Sequence, residues 1–165
     1  MNNSCIVSDR VSDWTAVGQR KIPWDLERTP LMMTTDSTAG SDEWIDVYMY
    51  GKDSDLKGGA AVRFVSPVQY GIGYCANGWR DLPVQPTVEV DMIWTYAKTD
   101  TAFIITCNGV EVLNYLFADS PISTDCVSRW GGDVVEEIEF HDTDTASDFY
   151  RAGKGLNLIL STCNF

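Results

Sequence analysis

Few residues in this chain could make or break a bond. His141 is the sole histidine and stands beside Asp142 in Phe140-His141-Asp142. A Ser-His-Asp triad would need a nucleophile carried to that ring, and the sequence has no Gly-x-Ser-x-Gly elbow to carry one. Glu136, Glu137 and Glu139 are the most closely spaced glutamates. A retaining glycosidase needs two carboxyls about 5–5.5 Å apart across a cleft. Neighbours on a strand alternate faces, so these three read as a solvated edge. Tyr70-Gly71-Ile72-Gly73 contains Gly-x-Gly, yet the third glycine and the following helix of a dinucleotide fingerprint are missing. The expectation is a chain without a catalytic centre.

Binding chemistry is better represented. In Tyr74-Cys75-Ala76-Asn77-Gly78-Trp79-Arg80-Asp81 an indole is surrounded by amide, guanidinium and carboxylate groups. The ring can stack on the apolar face of a sugar while its polar neighbours bond the hydroxyls. Arg129-Trp130-Gly131-Gly132-Asp133 repeats that chemistry. Asn77, Trp79, Arg80, Asp81 and Trp130 are therefore the candidate ligand set. The competing reading is that both tryptophans cover the ends of a core.

Calcium is the one cofactor the residues offer. Asp142, Asp144 and Asp148 start like an EF-hand loop, but the sixth position lacks glycine and the twelfth is Gly153 instead of Glu. What remains is a looser loop site, there or at Asp53-Ser54-Asp55, against the plainer reading of a solvated turn.

With 24 acidic residues against 12 basic ones, the net charge is −12. That field repels phosphate backbones and anionic lipid, which argues against nucleic acid and membrane docking. No apolar run approaches the roughly 20 residues of a membrane span. Met1-Asn2-Asn3-Ser4-Cys5-Ile6 lacks the basic and apolar regions of a signal peptide. Five cysteines are widely spaced without a C-x-x-C pair. Such spacing in a turn-rich chain suits disulfides and an oxidising compartment, so the chain is expected to be secreted, with its leader absent here, against the alternative of an intracellular protein with five buried, reduced cysteines. Cys107 and Cys126 bracket one strand and a turn and are expected to pair. Cys5, Cys75 and Cys163 stay unassigned.

These groups need a scaffold, and 165 residues suit one domain. Trp44 to Tyr50 alternates, with Ile45, Val47 and Met49 on one face and Asp46, Tyr48 and Tyr50 among those on the other. Ala60–Val65, Val68–Tyr74, Val88–Tyr96, Val134–Phe140 and Leu156–Thr162 read as further strands. Thr101–Cys107 and Val110–Phe117 are joined by Asn108-Gly109, the signature of a type I′ hairpin. Only Trp24–Met33, broken by Pro30, and Asp142–Arg151 could be helical. Residues 1–43 are the least regular and are expected to pack on the rest. The pattern predicts an all-β fold, an antiparallel β-sandwich or jelly roll with at most one or two short helices.

The stretch Ile104-Ile105-Thr106-Cys107-Asn108-Gly109-Val110-Glu111-Val112-Leu113-Asn114-Tyr115 resembles a hairpin of galectins and related jelly-roll lectins. The resemblance implies the sandwich. The family's sugar-binding His-x-Asn-x-Arg and Trp-x-x-Glu-x-Arg are absent, so it carries over no site residue. An extracellular recognition module for glycan follows as the first expectation. A structural or adhesive matrix domain, binding protein partners or itself as a homo-oligomer, is the second.

Overall fold

The computed structural model describes residues 7–11, 21–35, 44–75, 78–87, 92–132, 135–140 and 158–161. Twelve strands run through them: β1 Val7–Val11, β2 Lys21–Pro23, β3 Leu31–Thr35, β4 Trp44–Tyr50, β5 Leu56–Arg63, β6 Gln69–Ile72, β7 Arg80–Asp81, β8 Met92–Lys98, β9 Ala102–Cys107, β10 Val110–Leu116, β11 Glu137–Phe140 and β12 Leu158–Ser161. One α-helix, α1, spans Ser123–Trp130. The strands form two six-stranded sheets, ordered β1-β12-β3-β8-β9-β10 and β2-β11-β4-β5-β6-β7. Every ladder is antiparallel. The expected sandwich is present.

Alternation explains how the sheets face each other. On β4, Val47 and Met49 are fully buried while Asp46, Tyr48 and Tyr50 stay partly exposed. On β8, Met92, Trp94 and Tyr96 turn inward, as Phe103 and Ile105 do on β9. Together with Phe64, Ile72, Val112, Leu113 and Ile138 they form one continuous core. Its rings meet edge to face, Phe64 with Trp94 at 5.7 Å and Tyr96 with Phe103 at 5.6 Å. The β9–β10 hairpin turns as expected, with positive φ at both Asn108 (49°) and Gly109 (80°). The Asn108 side chain also accepts the Ile93 amide at 2.8 Å, tying the turn to β8.

Helical structure is not where the sequence pointed. Trp24 to Met33 makes a turn and enters β3 at Leu31, because Pro30 leaves too short a run for a helix. Asp142–Arg151 lies outside the described residues. The helix that forms is α1, whose Cys126 and Trp130, four residues apart, are buried together on one face. Gly131 ends it, its amide bonded to the Val127 carbonyl at 2.8 Å. Among the described residues, no helix is long and apolar enough to cross a membrane.

Helix α1 also decides the disulfide. Cys126 pairs with Cys75, in the turn that follows β6, with Cα atoms 4.6 Å apart. The expected Cys107–Cys126 bond is corrected. Proximity in sequence suggests it, but α1 packs against β5 with Cys126 beside Cys75, and Cys107 faces the core from β9. Cys107 is a free, buried thiol whose sulfur lies 3.9 Å from that of Met92.

Candidate ligand-binding site

The outer face of the second sheet carries a trough of about 260 Å³. Its floor comes from period-two spacing of small residues on two adjacent strands. On β5, Gly58, Ala60 and Val62 face the core, leaving Gly59 and Ala61 outside. On β6, Tyr70 and Ile72 face the core, leaving Gly71 outside and Gly73 beyond the strand end. Register aligns them: Ala61 lies opposite Gly71, and the Gly73 amide donates to the Gly59 carbonyl at 2.7 Å. No side chain larger than a methyl group rises from these positions, so the side chains of the flanking strands can lie across them.

The walls are side chains from the flanking strands. Asp46 and Tyr48 of β4 lie opposite Ala61 and Gly59. They lean across Gly59 so closely that a Cβ there would stand 2.8 Å from Asp46 Oδ1 and 3.1 Å from the Tyr48 ring. From the other side, Trp79, just before β7, lays its six-membered ring over Gly71, 3.6 Å from where a Cβ would be. Trp79 remains 37% exposed. The Arg63 guanidinium, at the end of β5, sits 5.5 Å from the centre of that ring. At the rim, Tyr74 is exposed in a left-handed conformation, with the Arg129 guanidinium 4.5 Å from its ring centre.

Of the predicted ligand residues that the structure describes, Trp79, Arg80 and Asp81 stand together at the edge of the second sheet and Trp130 is separate from them in the core. Trp79 lines the trough, and Asp81 is exposed at the sheet edge, where Gln69 donates to it at 3.4 Å. Arg80 is exposed opposite Tyr70. Burial raises the Tyr70 phenol above its usual value, the Tyr115 phenol adds to that, and Arg80 acts against both. Asn77 lies outside the described residues. Trp130 is the correction: it is fully buried, stacked with Phe117 at 6.1 Å and edge-on to Phe103 at 5.6 Å. Read as a loop residue, it is the last residue of a helix whose apolar face must be covered.

The residues that reasoning from sequence missed are Asp46, Tyr48, Arg63 and the glycines. The alternation of Trp44–Tyr50 had already put Asp46 and Tyr48 on the polar face. A glycine signal is present in Gly58-Gly59 and Gly71-Ile72-Gly73, but only the second has a motif to be compared with, the dinucleotide fingerprint that it fails to complete.

The glutamates also differ from expectation. β11 is no edge, since it sits between β2 and β4. Glu137 and Glu139 share a face, with Ile138 buried on the other. Glu139 is 7% exposed and accepts the Tyr50 hydroxyl at 3.0 Å. Burial, then that bond, pushes the Tyr50 phenol up to about 12. Among the described residues no group of three or more side chains could hold a metal ion. Asp55 pairs with Lys57 at 3.1 Å. Asp142, Asp144 and Asp148 lie outside the described residues, as does His141.

The chain is similar in fold to solved galectins. A tetrameric galectin from the ball sponge Cinachyrella sp. matches with a TM-score of 0.53 and 11% identity, covering 88% of this chain and 99% of that one. The galectin LEC-6 of Caenorhabditis elegans matches at 0.44 and 13% identity, covering 88% and 90%. The Crh5 transglycosylase matches at 0.46 and 10%, covering 96% and 75%. No family model matches the chain, and no curated protein matches it in sequence. At these identities the likeness is one of architecture: the chain folds as a galectin-like jelly-roll β-sandwich.

Proposed function

We propose that this chain is a non-catalytic, extracellular recognition domain that binds glycan in the trough on its second sheet. One observation carries the reading: an exposed indole, Trp79, lies over a glycine floor, with a carboxylate on the opposite wall. A pyranose has an apolar face that such a ring can cover, and hydroxyls that Asp46 can accept. The galectin-like fold supports the reading, and the buried Cys75–Cys126 bond agrees with an oxidising compartment.

The test is a glycan array carrying neutral, amino, sulfated and sialylated sugars, read with wild type and Trp79→Ala. Sugar-specific signals that Trp79→Ala loses, at unchanged circular dichroism, are the expected result. Wild type at background on every sugar would overturn the proposal.

A further inference from the structure

We infer that helix α1 positions the ligand site from behind: three of its residues grip three consecutive residues at one end of the trough, and Trp79 keeps its place over Gly71 only while that grip holds. This rests on Trp79 being a ligand residue, as read above, and goes on to what sets the place of its ring.

Cys126, Arg129 and Trp130 lie three and four residues apart and so share one side of α1. They meet Gly73-Tyr74-Cys75 in reverse order. Cys126 is bonded to Cys75. The Arg129 guanidinium lies 4.5 Å from the centre of the Tyr74 ring. The Trp130 indole N–H donates to the Gly73 carbonyl at 2.8 Å. Other elements back these contacts. Arg129 Nη1 also donates to the Leu56 carbonyl at 3.3 Å, at the start of β5. The Cys75 carbonyl accepts the Tyr115 hydroxyl at 3.1 Å and the Ser120 hydroxyl as well. Tyr74 bears the sign of being held. Its φ of 64° is left-handed, which a bulky residue adopts only where its surroundings impose it.

The gripped residues control both ends of the site. Gly73 lines the trough, and its amide donates to the Gly59 carbonyl at 2.7 Å. Trp79 follows Cys75 by four residues, so its backbone stays within about 14 Å of that anchor. On its other side Trp79 leads into β7, an edge strand of two residues paired with β6 at two positions. So short a ladder opens readily, which leaves Cys75 as the firm end. Cys126, Arg129 and Trp130 do not line the trough themselves. They are positioning residues.

The experiment uses the whole chain with its six tryptophans replaced by fluorotryptophan. The fluorine resonances of Trp79 and of the core residue Trp94 are assigned by their loss in Trp79→Phe and Trp94→Phe. Lactose, cellobiose and chitobiose are titrated in parallel. Cys75→Ala/Cys126→Ala and Arg129→Ala should each shift and broaden the Trp79 resonance while that of Trp94 stays in place. Arg129→Lys, which keeps a cation, should stay close to wild type. Any of the three sugars that binds wild type should bind both altered forms about two- to tenfold more weakly, the scale of ordering one large side chain on binding. If the double variant loses its fold, so that Trp94 moves too, Arg129→Ala decides, because it keeps the disulfide. A Trp79 resonance at its wild-type position in every variant that leaves Trp94 in place overturns the inference. Movement of Trp94 in Arg129→Ala also overturns it, since α1 would then serve stability alone. Absence of binding by all three sugars and on the array overturns the glycan reading, and the resonances still decide whether α1 places Trp79.

Discussion

The indole N–H of Trp130 donates to the carbonyl oxygen of Gly73 at 2.8 Å, so a buried core ring holds the backbone at one end of the trough floor. The same ring fills the space under Gly58, where a Cβ would stand 2.9 Å from Trp130 Cζ2. Gly58 has φ of 142°, a conformation that side chains rarely adopt. Glycine at that position serves the core through Trp130, and glycine at the next serves the face through Tyr48 and Asp46. Core and site are built on opposite sides of one strand.

That division separates the two tryptophans on stability. Trp130→Ala removes a fully buried ring and its bond to Gly73, and is expected to cost about 3–5 kcal/mol. Trp79→Ala removes a ring that is 37% exposed and held by the floor and Arg63, for about 1 kcal/mol or less. Urea unfolding of both variants checks this. Equal losses would place both rings in the core and remove Trp79 from the site.

The cysteines have distinct signatures. Non-reducing peptide mapping should recover Cys75 joined to Cys126 and Cys107 as a thiol. Closing a 51-residue span should stabilise by about 4 kcal/mol in the chain-entropy account, lost in Cys75→Ala/Cys126→Ala. Burial raises the Cys107 thiol from 9.0 to about 11. Between those values the unfolded chain gives up this proton while the folded one keeps it, so stability falls as pH rises through that window. Below pH 9 the contribution is intact. Cys107→Ala should fall less steeply above pH 9 than wild type, measured by thermal melts. An identical alkaline limb would show that the thiol is not buried.

A buried ion pair joins the sheets at one end. The Lys98 ammonium, with its side chain fully buried, meets Glu27 Oε1 at 2.8 Å, and Glu27 Oε2 accepts the Val135 amide at 3.0 Å. Glu27→Ala takes the carboxylate from a buried ammonium that keeps its 3.2 Å bond to the Thr99 carbonyl, and removes the acceptor of that amide, with an expected loss of about 3 kcal/mol. Lys98→Met/Glu27→Leu, which leaves no charge unpaired, should lose clearly less. A double variant as unstable as Glu27→Ala would mean that the partners act by packing and not by charge.

The sequence by itself determined the strands from β4 onward except β7, with the faces that alternation buries, but not β1, β2 and β3 in the segment that reads as irregular. Alternation over Trp44–Tyr50 identified Val47 and Met49 as core, and Asn108-Gly109 identified the hairpin, because both are local rules. One needs only side-chain direction along a strand, and the other only a backbone angle that glycine and asparagine tolerate. Trp79 was legible as a ligand candidate for the same reason, since its polar neighbours are adjacent in sequence. What only the tertiary structure decided depends on which distant segments meet. Register placed Gly59 beside Gly73, and Ala61 between Asp46 and Gly71, making a floor from two strands and a wall from a third that carry no shared motif. The packing of α1 turned Trp130 into core and sent Cys126 to Cys75 rather than Cys107, because a helix must bury its apolar face against whatever sheet lies beneath it. Period fixes which way a residue points. Only the fold fixes what it points at.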